Sequence, residues 1–75
     1  MSNVPALTAR RVIRALKRAG FVEDRQKGSH VVMFHPNTHA RTVIPVHGGK
    51  TLKKPLLRAI IADTGLSVEE FLELV

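Results

Sequence analysis

Lys27-Gly28-Ser29-His30-Val31-Val32-Met33-Phe34 runs from a basic, glycine-containing turn straight into an apolar β-branched segment, and the fold can be read outward from it. Gln26-Lys27-Gly28 supplies the turn, and Ser29 to His35 reads as a strand rich in β-branched and aromatic residues. Alternation along that strand sets His30, Val32 and Phe34 against Val31, Met33 and His35. Both sets contain apolar residues, so alternation alone leaves open which of them meets the core. His30 marks the strand's start with imidazole, the one side chain whose unperturbed pKa of about 6.5 suits it to both take and give a proton near neutrality.

The flanks extend the pattern. Phe21 to Arg25 reads as a preceding strand, Pro36-Asn37-Thr38-His39 as a second turn, and Arg41 to Val46 as a third strand. Pro45 cannot donate to a ladder and so belongs at an edge or near the strand end. Short connections make the three strands an antiparallel meander. Upstream, Thr8 is a good N-cap, and Ala9, Val12, Ile13, Leu16 and Ala19 recur at helical spacing until Gly20, which predicts a helix over residues 9 to 19. Downstream, the loop His47-Gly48-Gly49-Lys50 precedes a second helix with Pro55 at N1 and Leu56, Leu57, Ile60 and Ile61 as its apolar stripe, ended by Gly65. Ser67 and Glu70 form a capping box for a short third helix carrying Phe71, Leu72, Leu74 and Val75. This order predicts an α+β fold, α-β-β-β-α with a three-stranded antiparallel sheet and a short C-terminal helix, formed as one domain over residues 1 to 75.

A chain of 75 residues without cysteine must be held by packing alone, so the core is expected to be thin. Thiolate metal sites are excluded, and the cysteine-free composition is compatible with an intracellular setting. No apolar run approaches the roughly 18 residues of a membrane span, and Met1-Ser2-Asn3-Val4-Pro5 lacks the apolar core of a signal peptide. The expected state is soluble, unprocessed and cytoplasmic.

The charge is unevenly placed. All twelve lysines and arginines lie at or before Arg58 with only Glu23 and Asp24 against them, whereas Asp63, Glu69, Glu70 and Glu73 lie beyond. A body with a net charge of +10 attracts phosphate backbones, with an affinity that falls steeply with salt. Arg10, Arg11, Arg14, Lys17 and Arg18 form a basic face on the first helix with no acid interleaved, which fits a phosphate-facing stripe as well as a solvated one.

Lys27-Gly28-Ser29-His30, the stretch Ile44-Pro45-Val46-His47-Gly48-Gly49-Lys50, the pair Lys53-Lys54 before a helix, and Gly65-Leu66-Ser67-Val68-Glu69-Glu70-Phe71 together resemble the HicA toxins of bacterial toxin–antitoxin pairs. The resemblance runs in order from about Leu7 to Val75. It implies a double-stranded-RNA-binding-domain-like fold, a ribosome-independent mRNA interferase activity, and neutralisation by a HicB antitoxin. The family's catalytic histidine, the one in Gly-Ser-His, falls on His30. Pro55-Leu56 and the turn Pro36 to His39 depart from the family's usual Gly-Thr and shorter Asp-Gly hairpin.

RNA is cut without metal when a base removes the 2′-hydroxyl proton, the oxygen attacks the adjacent phosphorus, and an acid protonates the leaving 5′-oxygen. Histidine suits either role. Cations must offset charge developing on phosphorus, a task that falls to Lys27 and to Lys50 or Lys53, while Arg14 belongs to the RNA-facing stripe. Ser29 fits either a phosphate contact or a turn hydrogen bond. His47, ahead of two glycines whose N–H groups can cradle phosphate, fits both a second proton carrier and a strand-end structural role. His35 and His39 are poorly placed to share a metal, since Pro36 lies between them and no carboxylate completes a set, so neither metal nor cofactor is expected. Phe21, Phe34 and Phe71 sit in apolar runs and are expected in the core rather than as platforms for bases. The rival to an endoribonuclease is a noncatalytic double-stranded-RNA-binding-like module on the same scaffold. DNA binding through the first helix is weaker, because a sheet rather than a recognition helix follows it.

Overall fold

The Gly28-Ser29 turn sets the register between the two strands it joins. In the computed structural model, which describes residues 4–75, Lys27 pairs directly with His30, so Gly28 and Ser29 are the two central turn residues. Gly28 adopts φ 60° while Ser29 does not have positive φ, the pattern of a type II′ hairpin, whose twist matches that of the strands it joins. The turn therefore lies later than Gln26-Lys27-Gly28, and Ser29 belongs to it rather than to the strand. Residues 1–3 of the N-terminal segment in which no signal peptide was read lie outside the described residues.

The elements follow as α1 (Ala9–Arg18), β1 (Val22–Lys27), β2 (His30–Phe34), β3 (Arg41–Pro45), α2 (Lys54–Thr64) and α3 (Val68–Leu72). The three strands form one antiparallel sheet in the order β1-β2-β3, so the fold is α+β, α-β-β-β-α with a short terminal helix. Pro45 closes the edge strand β3, where its missing N–H costs no ladder bond. Beyond it the pairing continues for one more step, with the Val46 amide donating to the Ser29 carbonyl at 2.7 Å.

Which face of β2 is buried is settled by its partners. Val31 lies opposite Ile44 and Met33 opposite Thr42; all four are buried. α2 packs principally against β3 on this side, and α1 also touches β3. The inward residues of β1 are Glu23 and Gln26, which are polar, and every residue of β1 is exposed. The helices thus cover β2 and β3 and leave β1 projecting.

Thr8 caps α1 by accepting from the Arg11 amide, and Lys17 and Arg18 in the last turn complement its dipole. α2 has its N-cap at Lys53, which puts Pro55 in the second helical position instead of the first, and Gly65 at φ 81° ends the helix. The capping box of α3 is complete: the Glu70 amide donates to the Ser67 hydroxyl and the Ser67 amide to the Glu70 carboxylate. Phe71 and Phe21 enter the core with Leu16, Leu57, Ile60 and Ile61, each such side chain contributing about 1.5–3 kcal/mol on burial. Val4, Leu7 and Leu52 join them because the segment before α1 runs back along the one before α2, with the Leu52 amide donating to the Leu7 carbonyl at 2.8 Å.

Candidate nucleic-acid interface

Among the described residues, no helix covers the second face of the sheet. Alternation and register arrange its side chains in three cross-strand rows: Lys27, His30 and Pro45; then Arg25, Val32 and Val43; then Val22, Phe34 and Arg41. Consecutive rows lie about 7 Å apart along β2. Lys27, Arg25 and Arg41 supply positive charge to this surface, while Val22 and Val43 remain 48% and 44% exposed. A shallow depression of about 520 Å³ is lined by Arg25, Lys27, His30, Val32, Arg41 and Val43. His30 is exposed at the head of the central strand, with Lys27 directly across from it. Lys27 makes no ion pair among the described residues, so its charge is available to a ligand. Ser29 is half-buried and contributes its carbonyl to the Val46 amide.

Pro45, opposite His30 on β3, also lines a neighbouring hollow of about 250 Å³ with His47, Lys50, Thr51, Leu52, Lys53 and Leu56. The fold therefore brings His47, Lys50 and Lys53 together at the same end of the sheet as His30. Arg14 goes elsewhere. With Arg10, Lys17, Glu23 and Gln26 it lines a cleft of about 480 Å³ between α1 and the uncovered part of β1, on the helix side of the sheet. Lys17 there lies 3.8 Å from Glu23, so the α1 stripe has an acidic neighbour after all, supplied from β1.

The other two histidines have quite different surroundings. His35 Nε2 lies 3.1 Å from the Ala19 carbonyl, and its Nδ1 accepts from the amides of Asn37 and Thr38 at 3.2 and 3.3 Å. With Nδ1 accepting from these amides, Nε2 is the ring nitrogen left to donate to the Ala19 carbonyl. Both nitrogens are committed to backbone groups, and the ring stands edge-on to Phe21 at 5.1 Å. His39 has φ 64°, in the left-handed region, and its ring stacks on Phe34 at 5.9 Å with planes 28° apart.

Phe34 corrects the sequence reading. It is half-buried on the uncovered face, not in the core, because none of the described elements packs over that side of β2. The Arg41 guanidinium lies 4.9 Å from its ring centroid and bonds the Asp24 carboxylate at 2.7 Å. Asp24 is the extra residue of a β-bulge between Glu23 and Arg25. Its hydrogen bond from Arg41 holds its carboxyl below the usual carboxylate range, outweighing the opposing effect of burial, and the charges of Arg41 and Arg25 add lesser contributions in the same direction as the hydrogen bond. Arg25, Arg41, Phe34 and His39 are thus parts of the surface that the sequence reading did not assemble. Parity with His30 on β2 was the signal for Phe34, but the partners on β1 depend on a bulge that no turn residue announces.

Comparison with known proteins adds one finding. The family model described as the HicA toxin of bacterial toxin–antitoxin matches residues 9–66, from the first residue of α1 to just beyond α2. No curated protein matches the chain at a significant level.

Proposed function

The chain belongs to the HicA toxin family of bacterial toxin–antitoxin systems, and on that premise we propose that it is an endoribonuclease that cuts mRNA with His30 as its proton-transferring residue. The observation that carries this reading is the exposed imidazole at the head of β2 with an unpaired lysine directly opposite. A phosphodiester laid along this end of the sheet would meet Lys27 beside His30. His30 takes the 2′-hydroxyl proton, the 2′-oxygen bonds to phosphorus, and the bond from phosphorus to the 5′-oxygen breaks. The leaving oxygen must gain a proton, a role we give to His47, two residues beyond the Pro45 that lies opposite His30. Lys50 and Lys53, lining the hollow with His47, hold the adjoining phosphates, while Ser29 serves the turn and its approach to RNA. Arg14 extends the contact on the helix side. The double-stranded-RNA-binding-like character of the scaffold is part of the same reading, as is action in the cytoplasm.

Family membership implies an antitoxin partner. We take it to be HicB-like, an acidic or shape-complementary protein that covers His30 and the basic open face together and so excludes RNA.

Incubating the protein and His30→Ala with RNA, and determining the ends produced, tests the proposal. The expected result is 2′,3′-cyclic phosphate or 3′-phosphate ends with 5′-hydroxyl partners, a rate reduced about 10²- to 10⁴-fold in His30→Ala, and RNA binding retained. Recovery of 5′-phosphate ends alone, or activity lost completely in EDTA, overturns the mechanism. RNA binding without cleavage by the unaltered protein leaves the noncatalytic module in its place.

A further inference from the structure

The row of the open face farthest from His30 carries a second feature that cleavage does not use. Phe34 lies four residues along β2 from His30, about 13 Å away. Val22 flanks it on β1 and Arg41 on β3, and Arg41 is drawn over the ring towards Asp24. His39 stacks on the same ring from the loop between β2 and β3. Its left-handed φ of 64° is a conformation that costs an L-residue about 1 kcal/mol or more and suits glycine or asparagine better. The chain thus holds an imidazole in a strained position over an aromatic ring and leaves that imidazole exposed to solvent. A flat exposed ring backed by a second aromatic ring, which is itself held against a fixed guanidinium, offers a face on which an unpaired base can stack.

We propose that His39, backed by Phe34 and Arg41, is a stacking platform for one unpaired nucleobase of the RNA whose backbone passes His30. This rests on the ribonuclease reading. Pairing in a duplex would keep a base edge-on to this surface, so the platform selects single-stranded or looped RNA and holds it a short run of nucleotides from the cut. The apolar flank of Val22 and Phe34 favours a base over a phosphate at this end, whereas Lys27 favours a phosphate at the other.

His39→Gly is the informative variant, because glycine accepts φ 64° and removes only the ring. Binding is measured on a His30→Ala background with single-stranded oligonucleotides, each carrying one abasic position, and thermal unfolding checks that the fold is kept. The expected result is that His39→Gly weakens the intact oligonucleotide about tenfold, that one abasic position weakens binding to His30→Ala by the same factor, and that the two losses do not add. Unchanged affinity in His39→Gly, or losses that add at every position, overturns the platform while leaving the ribonuclease reading intact. Loss of antitoxin affinity alone would make the row a protein dock and likewise overturn it. Failure of His30→Ala to bind any of the oligonucleotides would remove the RNA reading and this proposal together.

Discussion

Four histidines on one small chain show how far position decides what an imidazole does. His30 ends a turn and faces solvent; His35, one residue past the end of the same strand and of opposite parity, turns inward to the Ala19 carbonyl. That inward ring explains Gly20. A Cβ on Gly20 would lie 2.7 Å from His35 Nε2, and the residue has φ 101°. The ring has little room to yield, held as it is by two backbone amides on Nδ1 and by Phe21. Gly20→Ala is therefore expected to lower unfolding stability by about 2 kcal/mol, roughly half from backbone strain and half from the displaced hydrogen bond. In a His35→Ala background the same substitution should cost only about 1 kcal/mol, since the clash has gone. Urea unfolding of the four proteins in that cycle measures the difference, and equal costs in both backgrounds would rule out the coupling. Gly20 was legible in the sequence as a helix stop. Its second duty as the space for His35 was not, because helix end and strand end meet only in the folded chain.

At the scale of elements, the bulge in β1 organises the far end of the open face. It places Asp24 so that one carboxylate serves Arg41 at 2.7 Å and lies 4.0 Å from Arg25. Arg41 is thereby held across Phe34. A carboxyl whose folded pKa lies below its unfolded value stabilises the fold above that unfolded value and loses the contribution as pH falls through the folded one. Asp24 is such a group. Asp24→Asn should thus lower the urea midpoint slightly at pH 7, as befits an exposed pair, and narrow the difference from the unaltered protein below about pH 4. A midpoint difference that grows on acidification would contradict the assignment. Caps and element order could be read from sequence because each depends on neighbours a few residues away, Thr8 with Arg11 and Ser67 with Glu70, whereas the turn at Gly28 was legible only in kind, since its central pair Gly28-Ser29 is fixed by the pairing of Lys27 with His30. The bulge and the exposed Phe34 could not, since both depend on what lies across the sheet. An aromatic residue in an apolar run is core only where a second layer covers it, and here the helices cover only one face.

For the whole molecule, the question is whether net charge or local charge governs a polyanion. The chain spans 32 × 29 × 17 Å, roughly two to four times the screening length of about 8 Å at physiological salt. Glu73 caps the C-terminus of α3, which packs on α2, and is not among the cross-strand rows of the open face. The concentration of cations before Arg58 was visible in the sequence; its division between two faces was not, because only the register puts Lys27 beside His30 and only the packing of α1 puts Arg14 behind the sheet. On the ribonuclease reading, Lys27→Ala and Glu73→Gln make opposite one-unit changes to a net charge of +6. If net charge governed binding, the two variants would shift RNA affinity by similar amounts in opposite directions. If the open face is the interface, Lys27→Ala should weaken RNA and reduce the slope of log affinity against log salt by about 0.7, the value for one lost contact to a single strand. Glu73→Gln should leave both affinity and slope nearly unchanged at physiological salt. Titrations with one oligonucleotide at several salt concentrations decide between them, and matched, opposite shifts would refute a localised interface.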